Sequence, residues 1–183
     1  MTQTEMLYHG RWLNLRRRGT WEFVERVNPQ GAVVIVAETP AGEVLFVEQY
    51  RVPIDAWTIE MPAGLIGDEP GREREALLAA AQRELLEETG WRAGRIELVM
   101  GGPSSAGMST EVMSFARAFD LTQIDAGGGD ASEAITVHRV PRARAASFLA
   151  EHMARGHAID PKLYAGLYFL DHDAHGRPWP QCV

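Results

Sequence analysis

Cysteine is nearly missing from this chain. Cys182, close to the C-terminus, is the one thiol among 183 residues, so no intrachain disulfide framework can form and the fold must rest on a buried core. That usage fits a reducing cytoplasm. Long hydrophobic runs are absent as well: no window is apolar enough to span a bilayer, and the N-terminal segment lacks the apolar centre of a signal peptide. A cytoplasmic protein with no membrane partner is the expectation. Positive charge is scarce, with a formal net charge of -7. Arg16-Arg17-Arg18 is the sole basic run and lies inside an apparent strand, so it reads as a solvated sheet edge, and no nucleic-acid partner is expected. His9, His138, His152, His157, His172 and His175 show no zinc-like spacing with cysteine. Ser104 and Ser105 lack the setting of a nucleophile elbow, and a Walker phosphate loop is missing. Serine or cysteine nucleophile chemistry and P-loop chemistry are therefore excluded.

What is present fits one compact domain over 1–183. Hydrophobic residues make up 45% and charged residues 23%, ordinary proportions for a globular chain of this length. There is no internal repeat, and Gly127-Gly128-Gly129-Asp130 is too short to link two domains. Residues 7–15 and 20–27 read as strands. Residues 31–38 and 44–50 are β-branched or aromatic runs separated by Thr39-Pro40-Ala41-Gly42, the pattern of a hairpin with a short loop. Further strands are expected over 96–101, 112–120 and 134–140. Helices are expected over 73–89 and 141–155, and a third is opened by Asp160-Pro161, an N-cap residue followed by the preferred first-turn residue. Interspersed strands and helices without a composition break predict an α/β domain with helices on both faces of a mixed sheet.

The chemistry concentrates in Arg83-Glu84-Leu85-Leu86-Glu87-Glu88-Thr89-Gly90-Trp91. Spacings of three and four residues put Glu84, Glu87 and Glu88 on one side of a helix, with Leu85, Leu86 and the preceding alanines supplying the buried face. Carboxylates crowded this way raise one another's pKa unless a cation neutralises them, and hard oxygen ligands suit Mg²⁺ or Mn²⁺. A Glu-rich helix face can also be merely solvated. The upstream stretch Glu60-Met61-Pro62-Ala63-Gly64-Leu65-Ile66 reads as a strand ending in a turn, so the acidic helix closes a strand-loop-helix unit.

From Gly64 to Trp91 this unit resembles the Nudix box: a glycine, five residues, a glutamate, seven residues, then R-E-aliphatic-x-E-E-x-G-hydrophobic. The second half matches residue by residue, and Glu75 stands eight positions before Arg83 as the pattern asks. Gly64 stands eleven before Glu75 rather than six, which places about five extra residues in the loop 67–74, where added length costs little. Three flanking stretches, Trp21-Glu22-Phe23-Val24-Glu25-Arg26, Val47-Glu48-Gln49-Tyr50-Arg51 and Glu60 to Gly64, are similar to the ordered signatures of the ADP-ribose pyrophosphatase branch of Nudix hydrolases, as is the proline-bearing loop 102–111.

This resemblance implies an α/β/α sandwich with a mixed central sheet plus N-terminal antiparallel strands, and Mg²⁺-dependent hydrolysis of ADP-ribose or another nucleoside diphosphate sugar. It implies metal held by Glu84, Glu87, Glu88 and the carbonyl of Ala63, with Glu84 and Glu88 also counted as catalytic, and Arg83 organising the helix through Glu75. The base that activates water would be an acidic residue on a loop after the box: Glu133 fits best, Asp130 is the reserve, and Glu111 is a weaker candidate. Substrate contacts would come from Trp12, Trp21, Arg26, Arg51, Glu60 and Pro103. Arg51 has a second reading as an ion-pair partner of Glu60, and the two indoles as core residues. In the branch one base-stacking aromatic crosses a dimer interface, so a homodimer is expected to bury the apolar residues 7, 8, 12, 13, 21 and 23. A nucleotide-sugar sensor that binds without hydrolysis is the alternative, and its signature would be loss of box carboxylates. A hydrolase of oxidised nucleoside triphosphates is disfavoured by the N-terminal strands.

Overall fold

In a computed structural model, residues 3–27, 31–67, 71, 76–129 and 134–180 are described. Among these residues the chain forms eleven strands and three α-helices, in the order β1 (Thr4–His9), β2 (Leu13–Arg18), β3 (Trp21–Arg26), β4 (Ala32–Ala37), β5 (Glu43–Arg51), β6 (Ala56–Glu60), β7 (Ala63–Leu65), α1 (Leu77–Thr89), β8 (Trp91–Pro103), β9 (Val112–Gln123), β10 (Thr136–Pro141), α2 (Ala145–Ala154), β11 (Ala158–Ile159) and α3 (Lys162–Phe169).

Strand β4, Ala-Val-Val-Ile-Val-Ala, has no polar residue to present to water, the mark of a strand covered on both faces. Its side chains divide by the two-residue period of the pleat. Val33, Ile35 and Ala37 join Leu45 and the buried α1 residues Ala80, Ala81 and Leu85 in one core. Val34 and Val36 join Val44, Phe46, Ile59 and Met61 with Leu149 of α2 and Leu163 and Phe169 of α3 in a second. Helices therefore cover both faces of the strand layer, as the α/β/α sandwich requires.

Hydrogen bonding divides that layer into two mixed four-stranded sheets, β7-β4-β9-β8 and β10-β5-β6-β11. Each contains one parallel pairing, β4 with β9 and β6 with β11. The expected turn between β4 and β5 is present, with Thr39 N–H bonded to Glu43 O at 2.8 Å and Gly42 N–H to Thr39 O at 2.9 Å. Beyond the bridge Glu38↔Val44 the strands part into different sheets, so the sequence pattern marked the turn and missed the divergence. The expected strand over 7–15 is two strands, because the chain reverses with Gly10 N–H bonded to Leu13 O at 3.0 Å. The helix expected from residue 73 is described from Leu77: Ala76 is extended at φ -72, ψ 142 and caps it. The helix expected over 141–155 is a 3-10 turn, Arg142–Arg144, followed by α2. At α3 the capping reading holds, since Asp160 Oδ1 accepts the Lys162 N–H at 2.9 Å.

Strands β1, β2 and β3 form a separate antiparallel sheet. It joins the body through β3, where Val24 N–H meets Met108 O at 2.8 Å and Thr110 N–H meets Val24 O at 3.1 Å. The basic run lies on its central strand rather than at an edge. Arg16 pairs with Glu25 at 2.6 Å, Arg17 with Glu5 at 2.9 Å, and Arg18 donates to Thr4 Oγ1 at 2.8 Å. Neighbouring strands thus supply partners that a reading of one strand alone could not see.

Candidate active site

The acidic helix and the strand before it fit together through one missing methyl. Gly64, in β7, lies so close to α1 that a Cβ there would overlap the carboxylate of Glu84. Glu88, 3% exposed, turns the same way and accepts the Ala63 N–H at 2.9 Å. Arg83 braces the unit: its guanidinium lies 2.9 Å from Glu84 Oε1 and 3.1 Å from Glu87 Oε2, and donates to Leu65 O at 3.2 Å. Glu75, the partner expected for Arg83, and most of the loop 67–74 lie outside the described residues. The three box carboxylates therefore share one side of α1, two of them buried against β7 and Glu87 more open.

α1 ends at Gly90, whose left-handed φ of 75° turns the chain into β8. A side chain at this position would meet Gly127 N at 2.6 Å, so the helix end and the loop after β9 are packed backbone to backbone. Two further bonds fix that loop: Gly128 N–H to Glu88 O at 2.9 Å and Gly129 N–H to Glu87 O at 3.0 Å. Beyond it, Ile135 N–H returns to Gly128 O at 3.3 Å. Glu133, the expected base, and Asp130, its reserve, lie outside the described residues; of the chain on either side, Gly128 and Gly129 are anchored at the Glu88 and Glu87 carbonyls and Ile135 at the carbonyl of Gly128.

A cavity of about 590 Å³ opens in front of Gly64 and Glu84. Its walls bring Arg51 and Glu60 from β5 and β6, Arg26 and Glu111 from β3 and the chain before β9, and Asp160 and Lys162 from the start of α3. Arg51 grips Glu60 with both ends of its fork, Nε to Oε1 at 2.6 Å and Nη2 to Oε2 at 2.7 Å. The ion-pair reading of Arg51 is thus realised while its side chain, 43% exposed, still faces the cavity. Arg26 Nε meets Glu111 Oε1 at 2.5 Å, and Lys162 pairs with Asp160. Each cation sits beside a carboxylate that fixes its direction, which makes the wall polar without giving it a large net charge.

Other expected contacts lie elsewhere. Pro103 ends β8 opposite Val112 and is not among the cavity-lining residues. Trp12 and Trp21 are 66% and 64% exposed, so the reading of these indoles as core fails, and neither lines the cavity. They stand at opposite ends of the β2-β3 ribbon, Trp12 bonded through its carbonyl to Val27 N–H and Trp21 opposite Arg18.

Sequence reasoning missed Lys162 and Asp160, which stand some hundred positions from β6 in the chain and reach the cavity because β11 pairs in parallel with it. It also missed a histidine cluster. His138, His152 and His157 gather around Glu48, which lies 90 positions from His138 and 109 from His157 in the sequence. Spacing along the chain carries no trace of that convergence. Among the described residues no helix is long and apolar enough to cross a membrane.

The NUDIX domain model matches residues 28–157, so the chain belongs to the Nudix family. It is 30% identical over 135 residues to the methanol dehydrogenase activator of Bacillus methanolicus, a match covering 69% of each chain. To the ADP-ribose pyrophosphatase of Bacillus subtilis (strain 168) it is 34% identical over 101 residues, 55% of this chain and 52% of that one. This second match spans about half of that relative's length. The crystal structure of an ADP compounds hydrolase superimposes with a TM-score of 0.70 over 92% of this chain and 89% of its own at 22% identity. The fold they share is the expected one.

Proposed function

We propose that this protein hydrolyses the pyrophosphate bond of ADP-ribose or a related nucleoside diphosphate sugar, with Mg²⁺ as cofactor, giving a nucleoside monophosphate and a sugar phosphate. One observation carries the reading: the Glu84 carboxylate, seated on Gly64 beside Glu88 and Glu87, faces a cavity of about 590 Å³ whose walls bear Arg26, Arg51 and Lys162. A pyrophosphate needs cations on one side and metal-holding carboxylates on the other, and a cavity of this size has room for a nucleotide sugar. The resemblance to the ADP-ribose pyrophosphatase of Bacillus subtilis supports the substrate class.

The donor set fits the cofactor, because Glu84, Glu87 and Glu88 are hard oxygen ligands on one side of α1, and Ala63, tied to Glu88 through its N–H, would add its carbonyl. A divalent ion held there would lower the pKa of water and neutralise charge developing on the phosphate. Arg83 keeps Glu84 and Glu87 oriented. Arg51, released in part from Glu60, Arg26 and Lys162 would hold the diphosphate oxygens, and Arg51 does so with a planar fork suited to phosphate. Glu133 takes the proton of the attacking water, with Asp130 as the reserve. Supporting this role, Gly128 and Gly129 on one side are fixed at the Glu88 and Glu87 carbonyls, and Ile135 on the other is bonded to Gly128 O. Trp12, with Trp21 of a second copy, grips the base, and Pro103 shapes the loop beside it. The whole chain acts as one cytoplasmic domain, assembled as a homodimer.

The test is phosphate release through a coupled phosphatase from ADP-ribose, ADP-glucose, UDP-glucose, GDP-mannose, diadenosine polyphosphates and nucleoside triphosphates, with Mg²⁺ or with EDTA. Metal-dependent cleavage of a sugar nucleotide is expected. Binding without cleavage across the panel would replace the reading with that of a sensor.

A further inference from the structure

Behind the sheet from the cavity, beneath α2, lies a second set of metal-ligand side chains. Along β5 the pleat sends Val44, Phe46 and Glu48 to the face covered by α2 and α3, while Arg51 on the other face lines the cavity. Glu48 is the one charged residue in that inward row. Around it stand His138 of β10, His152 in the last turn of α2, and His157 at the entry to β11. His157 Nε2 lies 3.0 Å from Glu48 Oε1, and His138 Nε2 lies 2.7 Å from Glu48 Oε2.

Glu48, His152 and His157 each bring one ligand atom within 4.8 Å of the others. Two atoms bound to one tetrahedral Zn²⁺ with arms of about 2.0–2.1 Å stand roughly 3.3 Å apart. The Glu48–His157 pair already has nearly that separation, and the His152 ligand atom lies within 4.8 Å of both. His152 supplies an independent sign. It is 7% exposed, and its Nδ1 is buried without a hydrogen-bond partner, an arrangement that costs stability unless something binds the ring. Burial, reinforced by the nearby His157 and His138, holds its pKa below the ordinary histidine value, which keeps the neutral, ligating form.

We propose that Glu48, His152 and His157 form a second metal site for a borderline transition ion, Zn²⁺ in the first instance, with His138 orienting the Glu48 carboxylate from outside it. Two imidazoles and one carboxylate prefer such an ion to Mg²⁺, which takes oxygen ligands. The side chains of Glu48, His157 and His138 keep 18–21% of their surface, which leaves a path for entry. The ion would tie β5 to the end of α2 and to the start of β11. The residues that directly follow His157, from Ala158 to Lys162, form one wall of the cavity, so the ion would set the position of that wall whatever substrate the cavity takes.

The test uses the full chain carrying Glu84→Gln and Glu88→Gln, which disables the oxygen-ligand site on α1, titrated with Co²⁺ as a visible probe. One equivalent is expected to give the ligand-field absorption of a nitrogen-containing site, removed by one equivalent of Zn²⁺ and retained in excess Mg²⁺. Adding His157→Gln or Glu48→Gln, with the fold checked by circular dichroism, is expected to weaken Zn²⁺ binding about 100-fold or more, since even residues outside the ligand set are worth up to that. Unchanged affinity in a folded variant would overturn the site. If a substitution unfolds the chain, the unsubstituted protein in excess Mg²⁺ decides: Zn²⁺ is expected to shift the imidazole nitrogen resonances of His152 and His157 and leave His9 in place, and unmoved resonances would overturn the proposal.

Discussion

Gly64 shows how little room the carboxylate-bearing side of α1 leaves. Its Cβ position coincides with the Glu84 carboxylate, so Gly64→Ala must push either β7 or the glutamate aside. A displacement of about 1 Å at a reacting centre costs on the order of 100-fold in rate, and that loss is expected in kcat/KM with folding retained. A variant with full turnover would show that Glu84 does not need its seat. Glu88→Gln is the gentler test, because the amide keeps the volume and can still accept the Ala63 N–H. If Glu88 holds metal as proposed, removing its charge is expected to lower kcat on the order of 10²–10³-fold, the scale of losing one electrostatic stabiliser, with an unchanged circular dichroism spectrum. Both residues were legible beforehand, one from its place in the box and the other from helical spacing. Lys162 and Asp160 were not, because the parallel pairing of β11 with β6 places them, and pairing is a property of the folded layer rather than of local sequence. The Arg51–Glu60 pair lies between, since a strand pattern allows that contact without requiring it.

At the scale of elements, what could be read were runs with one dominant period. β4 announced itself as a continuous apolar run, and α3 by its Asp-Pro start. What could not be read was which strand lies beside which: β4 and β5 share a tight turn and then join different sheets, because each finds its neighbours far along the chain. The same long-range assembly sets His152 of α2 against Glu48, His138 and His157, with Arg155 also near. Its lowered pKa has a consequence for acid stability. In the metal-free protein the unfolded chain binds a proton at His152 before the folded one does, so stability falls as pH drops through the unfolded value of 6.5 and keeps falling toward the depressed folded value. Glu48 acts in a lower range. Burial pushes its carboxyl up, but hydrogen bonds from His138 and His157 outweigh that and leave it below its ordinary 4.5. Its contribution is present above that value and lost as pH falls through the folded pKa. Urea midpoints measured in EDTA between pH 7 and 5 should therefore decline, and His152→Phe, which places a ring of similar size beside Phe148, should flatten the decline. An equally steep decline in the variant would remove His152 from the account.

At the scale of the whole molecule, the N-terminal sheet poses the remaining question. Met6, Tyr8, Trp12, Leu13 and Trp21 are each at least 43% exposed on a sheet joined to the body along one strand, an apolar surface of the kind that marks an interaction site. Trp12 lies across from residue 27 and Trp21 across from Arg18, so about six residues of strand, roughly 20 Å, separate the two indoles. A planar base cannot lie between them within one protomer. If both grip a base, one must come from a second copy, and the sheet that buries its apolar residues in a dimer would also complete the base site. Removing residues 1–28 is then expected to give a monomer by light scattering, with KM for a sugar nucleotide raised more than kcat is lowered, because the carboxylates on α1 and the cations of the cavity wall, Arg26 apart, remain in place. Trp12→Ala should raise KM in the same direction while the protein stays dimeric, which separates loss of the stacking surface from loss of the interface. A truncated chain of unchanged assembly state and unchanged KM would leave the two tryptophans with no part in either role.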